Sequence, residues 1–319
     1  MGTTTGGEEH DNLVMEVARA HYFRGESQVR IAEATGLSRF QVSRLLSEAW
    51  DRGAVRVSLH RPMRRWSSME QELKSRYGLQ EVSVTSCSST SQRAIRAVIG
   101  RQGALLLQQR LTRHDVLGIG WGRTVKCLAD ALRYLPACEV VQLAGQAGLP
   151  TDNLTDLVGT FAQITGRQPH AFKAPMLVAS DRAADDLLAS TAVKETIGWV
   201  DRVSLAVVAV GSWDPPNSQL RMMMTPPERS ALERAGVVAE VCGALLDRSG
   251  QVISHPLDHR IMAAGMHHFK RIPTVMTVAG HVSKASAIEA ALLSGMIEIL
   301  VTDHTVARAL LADRSTDPT

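Results

Sequence analysis

The chain is 319 residues long and short of several features that would narrow its class quickly. Aromatic residues are only 4% of it, so a core has to be built from Ala, Val, Leu, Ile and Met. Four cysteines (Cys87, Cys127, Cys138, Cys242) are scattered with no C-x-x-C pair, which argues against a disulfide framework or a zinc site and leaves small buried thiols. Neither a secretory leader nor an apolar run of about 18 residues is present, so a soluble, intracellular protein without a membrane partner is expected. No charge excess exists either, with 35 Lys+Arg against 32 Asp+Glu. His170, His255, His259, His267 and His268 form no i, i+4 pair on a clear helical pattern, so no metal and no cofactor is expected. The polar opening MGTTTGGEEHD reads as a frayed tail.

Against these absences stands one dense motif, residues 28–47, QVRIAEATGLSRFQVSRLLS. Ala32 is a small residue midway along a first amphipathic helix. Gly36 sits where that helix must stop and turn, a place that needs positive φ. Leu37 plugs the corner, and Ser38 is a good N-cap for the next helix. Val42, Leu45, Leu46 and Ala49 recur at helical spacing as a buried stripe. Phe40, Ser43, Arg44 and Ser47 fall on the opposite face, and Arg39 reaches outward from the first turn. Such a face suits base edges and phosphates.

Charge position agrees. Residues 37–66 hold seven arginines against Glu48 and Asp51, whereas residues 1–36 hold three arginines against six acids. Positive charge therefore starts where the second helix starts. Ala54–Leu59 alternates like a strand with Arg56 outward, as in the β wing beside a helix-turn-helix. Gln28, Ser38, Arg39, Phe40, Ser43, Arg44 and Arg56 are the candidate DNA contacts, and residues 1–60 the candidate winged helix-turn-helix domain.

Residues 61–79 read as a linker helix, with Trp66, Met69, Leu73 and Tyr77 as an apolar seam that closes at Gly78. Residues 80–319 alternate β-rich runs with amphipathic stretches. The expected strands are 81–85, 115–119, 139–144, 203–210, 274–279 and 298–302, and the expected helices 91–111, 123–134, 151–165, 283–294 and 304–312. The run Val203–Val210 shows no alternation, as in strands covered on both faces. The expected fold class is α/β, a doubly wound and mostly parallel sheet behind an all-α head, with ligands beyond the strands' C-terminal ends.

Those ends carry the second signal. Asp115–Thr124, DVLGIGWGRT, runs from a strand through glycines into a helix, a setting in which backbone N–H groups and a helix N-terminus approach an anion. Gly120, Gly122, Arg123 and Thr124 are candidate phosphate contacts. Gly145 ends the next strand, and Arg260 and Lys284 are cations near other strand ends. A dinucleotide is a poor fit, because the glycines fall as G-x-G-x-G and the next strand has no acid at its end. The joint pattern points to a small phosphorylated polyol.

Nearly end to end, the chain resembles the SorC family of sugar-responsive bacterial transcription regulators. The resemblance is carried by Gln28–Ser47, Leu73–Leu79, Asp115–Thr124, Ala174-Pro175, Gly236–Gly243, Leu257–Arg260, Val278–Ile288 and Ile299–Asp303. It implies a winged helix-turn-helix on an effector domain like glucosamine-6-phosphate deaminase and ribose-5-phosphate isomerase. It further implies a sugar or sugar-phosphate inducer, operator DNA as partner, and a homodimer or homotetramer. Gly280-His281 stands where the family often has Gly-Gly, Glu240 where it often has Asp, and Phe172-Lys173 where a Leu is common. His281 and Lys173 leave the effector open. Two other readings stay open: a sugar-phosphate isomerase or deaminase with Asp303 or Glu240 as general base, and a DNA-binding oligomer that needs no ligand.

Overall fold

A computed structural model describes residues 5–22, 24–55, 66–146 and 157–312. The chain divides into two compact units, Met1–Pro62 and Met63–Thr319.

In the first unit three helices, α1 (Thr5–Tyr22), α2 (Gln28–Thr35) and α3 (Arg39–Asp51), enclose a small core of Val14, Val17, Ala18, Ile31, Val42, Leu45, Leu46 and Ala49. The opening segment is therefore helical from Thr5 and not frayed as expected. Val14, Val17 and Ala18 give α1 an apolar face to bury, and burial rather than propensity holds most helices. α2 ends at Gly36, which takes the left-handed conformation at φ 71°. α3 starts with a capping box: Ser38 Oγ accepts from Gln41 N–H at 3.2 Å while Gln41 Oε1 accepts from Ser38 N–H at 2.8 Å. Such a cap is worth about 1 kcal/mol. Arg52 bonds Asp11 at 2.5 Å and Glu48 at 2.6 Å, tying α1 to α3. From residue 56 onward the expected wing strand, Arg56 included, lies outside the described residues.

The second unit opens with α4 (Ser67–Tyr77), which ends at left-handed Gly78. Its seam packs on this same unit: Leu73 is fully buried, and Trp66, Met69 and Tyr77 lie against the same core. The order then runs β1 (Glu81–Thr85), α5 (Gln92–Arg110), β2 (Val116–Ile119), α6 (Arg123–Ala131), β3 (Glu139–Gln142), α7 (Leu157–Thr165), α8 (Asp181–Ala189), α9 (Thr191–Val200) and β4 (Leu205–Val208). It continues with β5 (Gly211–Ser212), α10 (Gln219–Met223), α11 (Pro226–Arg234), β6 (Ala239–Val241), β7 (Ala244–Leu246), α12 (Met266–Phe269), β8 (Thr274–Val278), α13 (Ala285–Leu293), β9 (Ile299–Asp303) and α14 (His304–Leu311).

All six strands expected from the sequence form one parallel sheet, in the order β1-β9-β8-β4-β2-β3. Successive residues along a strand enter different cores. Ala206, Val208, Val275 and Leu300 meet α4, α13 and α14, while Leu205, Val207, Met276 and Ile299 meet α5, α6 and α7. That double burial explains why Leu205–Val208 shows no alternation. α5 and α6 approach until their backbones touch: a Cβ added at Gly100 would lie 2.6 Å from the Cys127 carbonyl carbon.

Between β4 and β8 the chain departs from a simple α/β repeat. β5, β6 and β7 make a small antiparallel sheet that the sequence pattern does not reveal, since strands of two or three residues carry no periodicity. The connections leave β2 toward β3 and leave β4 toward β8. The strand order thus reverses between β2 and β4, which is where α/β sheets open a crevice at their C-terminal edge.

Candidate functional site

A cleft fills that crevice, with about 550 Å³ of empty space including its mouth. Its wall residues come from every neighbouring connection: Trp121–Thr124 after β2, Ala209–Gly211 after β4, Gly280, His281 and Lys284 after β8, and Gln92 and Arg96 from the first turns of α5. Asn217, Gln219 and Glu240 come from the segment around the small sheet.

The β2–α6 turn is built by close approach. A Cβ added at Gly122 would lie 2.5 Å from Ala209 Cβ, so only glycine lets this turn settle against the end of β4. Gly122 also has no side chain with which to cap α6, and the helix starts with no capping side-chain bond. Its first N–H groups are free for an anion, with the positive end of the helix dipole behind them. Thr124 is buried in this first turn, and Arg123 reaches the Asn217 carbonyl oxygen at 3.4 Å.

Three cations converge here. Lys284 is 8% exposed, and its Nζ donates to the Val210 carbonyl oxygen. Burial, with Arg123 and Arg96 adding repulsion, draws its pKa down to about 8. Arg96 is lowered by burial and by the Arg123 charge. Glu240 is the lone carboxyl on the wall, and burial pushes its pKa up, against hydrogen bonds from Gly243 N–H at 2.8 Å and Ser218 Oγ at 3.1 Å. A cleft with three cations and one carboxyl reluctant to ionise has a net demand for negative charge. Gln219 adds a buried Nε2 amide without a hydrogen-bond partner among the described residues, a donor that asks for a ligand oxygen.

Of the residues singled out from the sequence, Gly122, Arg123, Thr124, Glu240, His281 and Lys284 meet in this cleft. Gly120, Gly145 and Arg260 are not on its wall. Gly120 is taken up by the sheet, its N–H donating to Val207 O at 2.9 Å. At Gly145 the chain passes so close to Ala174-Pro175 that a Cβ would lie 2.6 Å from either carbonyl oxygen. Arg260 is engaged elsewhere: Nη1 donates to Glu228 Oε1 at 2.6 Å and Nε to Val178 O at 2.8 Å, so its charge is already met. Lys173 is exposed and also off the wall. Asp303 is not on the wall either; it lies just behind it, both carboxylate oxygens accepting hydrogen bonds, from His281 N–H at 2.6 Å and Thr305 N–H at 2.9 Å. Sequence reasoning passed over Gln92, Arg96, Asn217 and Gln219. Gln92, Arg96 and Gly100 share an i, i+4 spacing, so one face of α5 carries both the cleft groups and the glycine that seats it on α6.

In the first unit Arg39, Ser43, Arg44 and Ser47 are all exposed, and Phe40 is 89% exposed, which no core requires. Gln28 and Ser43 line a shallow groove with Tyr22, Ser47 and Trp50. Ser38 spends its hydroxyl on the α3 cap. No described group of His, Cys, Asp or Glu is arranged to hold a metal, and none of the described helices is long and apolar enough to cross a membrane.

Comparison with known proteins places the chain in a family. Residues 61–312 match the family model Sugar-bind, a sugar-binding domain. The transcriptional regulator LsrR of Enterobacter sp. (strain 638) is 29% identical over 309 residues, 95% of this chain and 93% of the relative. The deoxyribonucleoside regulator of Bacillus subtilis (strain 168) is 25% identical, over 96% of this chain and 99% of its own. The crystal structure of the full-length sorbitol operon regulator SorC from Klebsiella pneumoniae superposes with a TM-score of 0.72 at 24% identity, covering 94% of this chain and 99% of that one. These matches and the parallel sheet with its cationic cleft agree: the chain belongs to the SorC family of sugar-binding transcriptional regulators.

Proposed function

We propose that this protein is a cytoplasmic regulator of a carbohydrate-catabolic operon, whose α3 reads operator DNA and whose cleft takes a phosphorylated sugar or polyol. The observation that carries the effector reading is the meeting of Arg96, Arg123 and Lys284 with the uncapped N-terminus of α6. A phosphate dianion answers that charge, and Gln92, Asn217 and Gln219 suit hydroxyl groups. The DNA reading rests on the exposed Arg39, Phe40, Ser43 and Arg44 along one face of a capped helix. The names of relatives, which include a sorbitol operon regulator and an erythritol catabolism regulatory protein, support a polyol-linked role.

In this reading the protein works as a homodimer or homotetramer on DNA, and effector binding shifts the population between pairings that differ in the spacing of their DNA-reading helices. The test is a thermal shift on a panel of sugar and polyol phosphates, because a ligand bound only to the native state raises the melting temperature. Ligands that raise it should also change operator affinity, and Thr124→Ala should blunt both responses while operator binding without ligand persists. A panel with no response in either assay would remove the phosphorylated effector. An isomerase or deaminase reading is less well supported, because Asp303 is bound up in capping α14 and Glu240 is buried and hydrogen-bonded.

A further inference from the structure

Only two described residues other than glycine have positive φ, Cys242 and His281, and only His281 is also on the cleft wall. His281 sits at φ 79°, ψ 123°, a conformation that glycine enters freely and that L side chains rarely adopt. Strain of this kind is costly and lasts only where the surroundings over-determine it. Here they do. The His281 N–H is held by Asp303 Oδ2 at 2.6 Å, and its ring is held by Ser283.

The ring contacts also fix what His281 offers. Nδ1 accepts from the Ser283 N–H at 3.4 Å and lies 2.7 Å from the Ser283 hydroxyl. In the neutral ring the proton is then on Nε2. Nε2 has no hydrogen-bond partner among the described residues, and the ring is half-buried on the cleft wall. The cleft therefore gains an N–H donor on a strained, doubly anchored backbone.

The strand order says which part of a ligand that donor meets. The α6 N-terminus follows β2 and His281 follows β8, with β4 between them. Two strand spacings are roughly 10 Å. The long Lys284 side chain, whose Nζ already reaches the Val210 carbonyl after β4, can span toward a phosphate seated at Gly122–Thr124, whereas the shorter His281 is left to meet the far end of a short carbon chain attached to it.

We infer that His281 is the specificity-determining residue of the cleft, its Nε2–H donating to the oxygen on the end of the effector remote from the phosphate. This rests on the phosphorylated-effector reading above, and the test separates the two. Titration calorimetry on the full-length protein would use inorganic phosphate and a pentose, a pentitol, a pentulose and an aldonate, each phosphorylated at carbon 5. These probes share their phosphate and differ at the other end. Wild type should rank the four with a spread of about tenfold or more, the scale of one buried hydrogen bond made or left unpaired. His281→Gly should compress that spread to about threefold or less while inorganic phosphate binds within about twofold of wild type. His281→Asn, which keeps an amide donor on a residue tolerant of positive φ, should restore part of the ranking. A purely structural His281 would lower the melting temperature when replaced and leave the ranking intact. His281→Gly should instead hold or raise the ligand-free melting temperature, since the strain is gone. An unchanged ranking in His281→Gly overturns the inference alone. Wild-type protein that binds neither phosphate nor any of the four overturns the effector reading and the inference together.

Discussion

If the cleft takes a phosphorylated effector as proposed, Lys284 should make effector affinity depend on pH, in a direction set by where its proton goes. In the ligand-free cleft, burial and two arginines bring the ammonium from 10.5 to about 8. That fall disfavours the charged form by about 3 kcal/mol. A phosphate dianion beside Lys284 supplies the missing counter-charge, so the complex holds the proton more tightly and the pKa returns upward. Below pH 8 the lysine is already protonated and binding is at full strength. Above it, each ligand bound draws a proton from solution, and affinity falls about tenfold per pH unit until the pKa of the complex is reached. The second pKa of a phosphate monoester lies near 6, so its ionisation is nearly complete by about pH 7.5 and ligand charge stays constant from there to about 9.5. Calorimetry in buffers of different ionisation enthalpy should count close to one proton taken up at about pH 9. Lys284→Met should bind more weakly with a flat profile. A wild-type affinity that does not move across this window refutes the placement of Lys284 against the ligand's charge. The same shift acts on the ligand-free fold. Between pH 8 and 10.5 the unfolded chain binds the proton and the native one does not, so stability rises with pH through that interval.

Arg44→Ala should weaken operator binding by about 1–3 kcal/mol if Arg44 reads a base edge, with the melting temperature unmoved because the side chain is exposed. Fluorescence anisotropy on operator fragments checks it. Gly122→Ala should abolish effector binding and cost about 1–3 kcal/mol of stability in urea titrations, because the new methyl meets Ala209. Arg260→Ala should leave effector affinity within about twofold of wild type. It should still destabilise the fold by about 1–3 kcal/mol, since Glu228 loses a charged partner. Loss of effector binding in Arg260→Ala would return that residue to the site.

The parts of this molecule legible in its sequence are those whose signal is local. Gly36 and Ser38 announce a turn and a cap, and both do that work. Six β-rich runs became the six strands of the parallel sheet because burial on both faces leaves continuous apolar stretches. The cleft was half legible. Gly122, Arg123 and Thr124 sit together on one strand-to-helix turn, but Arg96 looks like any surface arginine until α5 is laid across the ends of the strands. Gln219 and Asn217 arrive on a segment whose tiny strands have no period. Arg260 misled for the converse reason: a cation in a polar patch resembles a ligand contact, and its partner Glu228 is 32 residues away in the chain.

The glycine contact between α5 and α6 bears on how a bound effector can be felt. Gly100 brings these backbones together so closely that neither helix can slide without the other. Arg96 rides on one and Arg123 on the other. The two arginines are therefore stations on a single stiff block, an anvil for the phosphate of the proposed effector. Asn217 and Gln219 stand on the facing jaw, where the chain runs from a two-residue strand into a five-residue helix. In the proposed reading, adjustment to the ligand falls to that jaw, and a signal toward DNA would start there.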